Sequence, residues 1–204
     1  MALFITFEGG EGSGKSTQAK LLHQRLKRSD ISSLLIHEPG ITELGEKITR
    51  LLKWSKDTTI SPIAELLLFN TSRVQLVSEL IRPALQNGAY VICDRYADST
   101  TAYQGYGRGL DLATVEAVNK IGMSGVVPDI TFLLDIPVEQ GLTRIEKNKD
   151  RFEIESVDFH KRIREGYRAL AEAEPQRWHE INAAFSKEKI AEIIWEKVSI
   201  LLAE

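Results

Sequence analysis

Phe7-Glu8-Gly9-Gly10-Glu11-Gly12-Ser13-Gly14-Lys15-Ser16-Thr17 decides how this chain is read. Gly9, Gly14, Lys15 and Ser16 fit G-x-x-x-x-G-K-[ST], a loop that cradles phosphates. Its glycines let backbone N–H groups turn inward around an anion. Lys15 then reaches the β- and γ-phosphates, and the Ser16 hydroxyl is placed to ligate Mg²⁺. Gly10, Glu11, Gly12, Ser13 and Thr17 complete the candidate nucleotide-binding stretch. The flanks supply the setting. Leu3-Phe4-Ile5-Thr6-Phe7 reads as a buried strand, and Gln18 to Leu26 as an amphipathic helix. Strand, glycine loop and helix in that order are what the motif requires. A glycine-rich turn with a chance Lys-Ser pair would have no need of them.

Outward from the loop, strands and helices alternate, which predicts an α/β fold: a parallel sheet with helices on both faces, three layers deep. Strands are expected at Ser33–His37, Tyr90–Cys93, Asp129–Asp135 and Trp178–Asn182, which with the first makes five. Thr42–Leu52 has helical spacing, with Leu44, Ile48, Leu51 and Leu52 on one side. Ser61 and Pro62 open a long helix to Asn87, which Pro83 is expected to kink. A short helix near Ser99–Gln104 leads into a glycine-rich loop, Gly105–Gly109. Further helices are expected at Asp111–Ile121, Pro137–Glu146, Ser156–Glu174 and Lys187–Leu202. The 204 residues suit a single domain, 1–204, with a short lid at about 145–153.

Bulk properties narrow the function. A net charge of −3 gives no footprint for a nucleic-acid polymer. No apolar run is long enough to span a bilayer, and no cationic, apolar leader precedes the first strand. The single cysteine, Cys93, cannot form an internal disulfide, so a cytoplasmic protein is expected. The four histidines show no metal-ligand spacing.

In open α/β sheets ligands bind beyond the carboxyl ends of the strands. Asp94 ends an apolar strand, where a carboxylate serves Mg²⁺ in phosphate-loop proteins; it also suits the cap of the next turn. Arg95 offers a guanidinium fork for a second phosphate, or is an ordinary surface arginine. The chain has no Asp-x-x-Gly, and Asn148-Lys149-Asp150 is one residue short of a guanine-reading Asn-Lys-x-Asp, so a GTPase switch is not indicated. Lys147, Lys149 and Arg151 lie in a polar stretch that suits a water-excluding lid, and equally a solvated turn. Together these point to phosphoryl transfer to a small acceptor.

The loop, then Glu38-Pro39-Gly40, Phe69-x-x-x-Arg73, Asp94-Arg95-Tyr96, Ala102-Tyr103-Gln104-Gly105 and Gly107-Arg108-Gly109, in this order and spacing, resemble bacterial thymidylate kinases along nearly the whole chain. Phe152-Glu153 after Asp150-Arg151 also fits. The resemblance implies ATP and dTMP as substrates, Mg²⁺ as cofactor and a homodimer. It implies that Lys15 and Ser16 hold the ATP phosphates and Mg²⁺, that Arg95 bridges donor and acceptor, and that Asp94 orients the water shell of the metal. Glu11 would meet the deoxyribose 3′-hydroxyl, and Glu38 would lie near the acceptor phosphate and metal. Phe69 would stack on thymine; Arg73, Thr100 and Gln104 would read its edge; Tyr103 would disfavour a ribose. Phe69 also suits plain core, Tyr103 packing under the loop, and Thr100 a helix turn. The chain departs from the family pattern at His37, Ile41 and Thr49. Family members without an arginine in the phosphate loop usually supply one from the lid; here the lid is short and lysine-rich, which leaves Arg144 and Arg151 as candidates for that cation. Two other readings remain: a kinase for a different nucleoside monophosphate or small acceptor, and a nucleotide-binding regulator without turnover.

Overall fold

A computed structural model describes residues 2–55, 58–145 and 150–203. Five strands form one all-parallel sheet in the order β2-β3-β1-β4-β5: β1 is Phe4–Glu8, β2 Ser33–His37, β3 Tyr90–Asp94, β4 Ile130–Asp135 and β5 Trp178–Asn182. The expected α/β architecture is therefore borne out. β1 lies between β3 and β4, and the chain crosses it in passing from β3 to β4, so the crevice for a ligand opens beyond the end of β1. Register reinforces this. Phe7 lies opposite Asp94, and the Arg95 N–H donates to the Phe7 carbonyl at 3.0 Å.

Both faces of the sheet are covered, which is why its strands are nearly continuous apolar runs. On one face Ile5, Phe7, Phe132 and Leu134 pack against α1 (Lys15–Arg28) and α9 (Lys187–Ala203). On the other, Phe4, Val91 and Cys93 meet Leu76, Val77 and Ile81. A third cluster joins Leu133 and Trp178 to Phe159, Ile163 and Tyr167 of α8 (Val157–Ala173).

Some elements differ from expectation for physical reasons. In α2 (Glu43–Trp54) the buried face is Gly45, Ile48 and Leu52; Leu44 and Leu51 are exposed, because α2 packs chiefly on α3 (Pro62–Leu76). The long helix is not uniform. A π-helical turn, Val77–Ile81, separates α3 from α4 (Arg82–Gln86), close to where Pro83 lacks an N–H and crowds the preceding turn. The expected loop at Gly105–Gly109 is largely helical: α5 (Ala97–Thr100) runs into a second π-helical segment, Thr101–Gly107. Gly107 is there for packing, since a Cβ would sit 2.8 Å from the Phe159 ring. Next come α6 (Leu112–Met123), capped by Asp111, and α7 (Val138–Thr143). Lys147, Asn148 and Lys149 lie outside the described residues. Among the described residues no helix is long and apolar enough to cross a membrane.

Candidate active site

α1 begins without a side-chain cap. Its N-cap is Gly14, at φ +95°, and the first N–H groups of the helix face the loop. Uncapped donors and the positive end of the helix dipole suit an anion. Lys15 curls over this loop, donating to the Gly10 carbonyl at 2.7 Å and to Ser13 Oγ at 3.3 Å. Burial, then the charge of Arg95, lowers its pKa to about 8, so it remains mostly cationic at neutral pH. The loop is pressed against α7: a Cβ on Gly12 would lie 2.1 Å from the Gly141 carbonyl oxygen, and one on Gly141 2.3 Å from that of Glu11. Only glycine at both positions permits this approach, and Gly12 also has φ +68°.

Ser16 and Asp94 meet across the loop, the Ser16 hydroxyl donating to Asp94 Oδ2. The second Asp94 oxygen, Oδ1, is buried without a hydrogen-bond partner. A hydroxyl and a carboxylate with an unmet lone pair suit Mg²⁺, which takes few protein oxygens and keeps its other positions for water and phosphate. Among the described residues no larger cluster of His, Cys, Asp or Glu is set up for a metal.

Arg95 is the hub. Its φ of +70° is uncommon for a residue with a side chain and turns the guanidinium back over the loop. Nη1 donates to the Gly9 carbonyl at 3.2 Å, to Ser99 Oγ at 3.2 Å and to the Tyr167 hydroxyl at 3.0 Å. Nη2 donates to Glu11 at 2.8 Å and to the Tyr103 hydroxyl at 3.0 Å. The Tyr103 hydroxyl donates to Glu11 as well. Burial alone would raise the Glu11 pKa, but the charges of Arg95 and Lys15 and the Tyr103 bond hold it at about 2.

Behind Arg95 lies Glu8, fully buried at the end of β1. It accepts from the Tyr96 N–H at 2.7 Å, Ser99 Oγ at 2.6 Å and the Tyr167 hydroxyl at 3.0 Å. Glu8, Ser99 and Tyr167 were not legible as site residues. An acid closing an apolar strand was a signal for Glu8; Tyr167, within an amphipathic helix, gave none.

Two cavities meet at this hub. The larger, about 1700 Å³ and open, is lined by Gly12, Gly14, Lys15, Ser16, Thr17, Asp94 and Arg144 among others. The smaller, about 440 Å³, is lined by Phe69, Arg73, Thr100, Tyr103, Gln104 and Phe152 among others. The Phe69 and Phe152 ring centroids are 5.7 Å apart, giving the smaller cavity an aromatic wall.

Arg73 is wholly buried and held from all sides. It forms a two-point ion pair with Glu38 and donates to Asn70 at 2.8 Å, Asn119 at 2.9 Å and Thr100 at 2.6 Å. Gln104 donates to Glu65 at 2.8 Å. Glu65, nearly buried and also missed in the sequence, binds Arg108 and Arg151 too. Arg151 thus sits beside Glu65 and the Leu52 carbonyl and does not line the larger cavity, whereas Arg144 does and donates to the Gly12 carbonyl at 3.4 Å.

Residues 7–194 match the family described as Thymidylate kinase. The chain is 54% identical over 203 residues to a thymidylate kinase of Dehalococcoides mccartyi, covering 99% of this chain and 98% of that protein. It is 45% identical over 217 residues to one from Roseiflexus sp., covering 100% and 96% respectively. It is 47% identical over 196 residues to one from Synechococcus sp., covering 96% and 94%. The glycine loop, the arginine hub at its rim and these full-length likenesses place the chain in the thymidylate kinase family.

Proposed function

We propose that the protein transfers the γ-phosphoryl group of ATP to dTMP, giving ADP and dTDP. The carrying observation is that a phosphate loop and a cavity walled by Phe69 and Phe152 meet at Arg95, which lines both cavities. An oxygen of the dTMP phosphate forms the new P–O bond, and the bond to the β–γ bridging oxygen of ATP breaks. The second pKa of a phosphate monoester is about 6, so the attacking oxygen is already largely ionised at neutral pH and no general base is needed. The residues contribute alignment and charge neutralisation. Lys15 and the loop amides hold the donor phosphates, and Arg95 stands between donor and acceptor. Arg144, at the rim of the loop, is better placed than Arg151 to supply the lid cation. Phe69 supplies a stacking face; Arg73, Thr100 and Gln104 line the edge of the base cavity; Tyr103 and Glu11 meet the sugar.

Ser16 and Asp94 would hold Mg²⁺, which supplies charge neutralisation on the phosphates when bound. A homodimer is supported by an exposed apolar stripe, Ile63, Leu67 and Val74, along one face of α3. We read residues 1–204 as one kinase domain working in the cytoplasm on small molecules, with no nucleic-acid polymer or membrane as partner. The test is a coupled ADP-release screen over nucleoside monophosphates with and without Mg²⁺. Turnover with dTMP above all others, lost on chelation, is expected; equal or faster turnover of CMP or AMP would overturn the assignment. Light scattering at several concentrations tests the dimer.

A further inference from the structure

The two cavities share five lining residues: Glu11, Glu38, Pro39, Lys53 and Arg95. If the smaller takes a base and the larger the donor phosphates, the acceptor phosphate lies at this boundary. Its two carboxylates are already compensated, Glu38 by Arg73 and Glu11 by Arg95. A dianion placed beside them needs further positive charge. The two boundary cations differ in what they have left to give. Arg95 donates to five acceptors in the protein. The Lys53 ammonium has three donors, and among the described residues its ion-pair partner is Asp150, at 3.0 Å.

Lys53 lies in the last turn of α2. One turn earlier Thr49 also lines the larger cavity, but its hydroxyl is spent on the Gly45 carbonyl at 2.7 Å. The end of α2 is anchored: Arg151 donates from Nε to the Leu52 carbonyl at 2.9 Å and from its backbone N–H to that of Lys53 at 3.2 Å. This fixes the base of the lysine while its long stem leaves the ammonium movable. The Lys53 side chain is one-third exposed, and an ion pair that wet contributes little as a latch alone.

We propose that Lys53 receives the 5′-phosphate of the acceptor, exchanging Asp150 for the phosphate oxygens. This deepens the dTMP reading and rests on it. The test is calorimetric binding of dTMP, and of thymidine, which lacks the phosphate, to wild-type, Lys53→Met and Lys53→Arg proteins. Lys53→Met is expected to weaken dTMP roughly 10–100-fold, the size of a lost charged hydrogen bond, and to leave thymidine within about twofold. Lys53→Arg should restore most of the dTMP affinity. Unchanged dTMP affinity in Lys53→Met overturns the proposal. So does equal weakening of dTMP and thymidine, because Lys53 would then shape the cavity and not meet the phosphate. Failure of the wild-type protein to bind dTMP would remove the underlying reading itself.

Discussion

Glu8 and Arg95 form no ion pair with each other, yet Ser99 and Tyr167 join them: both hydroxyls lie within hydrogen-bond reach of Glu8 Oε2 and of Arg95 Nη1. Each hydroxyl has one proton. When Glu8 is ionised, both protons point at it and both oxygens offer lone pairs to the guanidinium. Oε1 is held by the Tyr96 N–H, so a Glu8→Gln amide would turn its NH₂ toward the hydroxyls and push their protons at Arg95. This near-isosteric change is expected to lower kcat roughly 10–100-fold, one charge-assisted bond or more, while KM for dTMP moves little. Steady-state kinetics of Glu8→Gln, with Tyr167→Phe for comparison, checks this.

The same carboxylate links stability to pH. Burial, and then the charge of Asp98, raises the Glu8 pKa from 4.5 to about 7. Between those values the folded protein keeps a proton that the unfolded chain has lost. The contribution of Glu8 to stability therefore falls as pH rises through that window. Glu11 behaves oppositely. Held at about 2, it stabilises the fold above pH 4.5, and that contribution is lost as pH falls toward 2. Denaturant melts across pH should show Glu8→Gln removing the first slope and Glu11→Gln the second.

Arg95→Ala and Phe69→Ala should fail differently. Removing a charge-stabilising donor costs roughly 10²–10³ in kcat in comparable sites, so Arg95→Ala is expected to act on turnover. Phe69→Ala removes a stacking face and should raise KM for dTMP roughly tenfold with a smaller change in kcat. Kinetics with dTMP varied at saturating ATP separates the two.

Ile41 has φ +71°, left-handed backbone on a β-branched residue. That conformation costs roughly 1–2 kcal/mol, against roughly 0.5–1 kcal/mol for the extra unfolded-chain freedom of glycine. Ile41→Gly is therefore expected to raise stability by up to about 1.5 kcal/mol, seen as a higher melting temperature. An unchanged or lowered melting temperature would mean that the half-exposed side chain packs well enough to offset the strain.

The strands were legible because each is an apolar run closed by turn chemistry, as at Ser33–His37, read to the residue. The phosphate loop was legible because its spacing is a backbone requirement. What escaped was made by long-range pairing. Glu65 binds Gln104 and Arg108 from one distant segment and Arg151 from another, and no local pattern announces such a partner. The π-helical Thr101–Gly107 escaped because Gly105 and Gly107 read as loop residues. In the fold they are small so that Leu112 and Phe159 can pack against the backbone.

Gly12 and Gly141 have a genetic consequence. Each clears space for the backbone of the other's neighbourhood, so the first alanine at either position must already part the loop from α7. The second alanine then enters a gap that exists. The double variant Gly12→Ala/Gly141→Ala should lose less than the sum of the single losses, a coupling expected between touching positions, although the φ +68° strain at Gly12 remains.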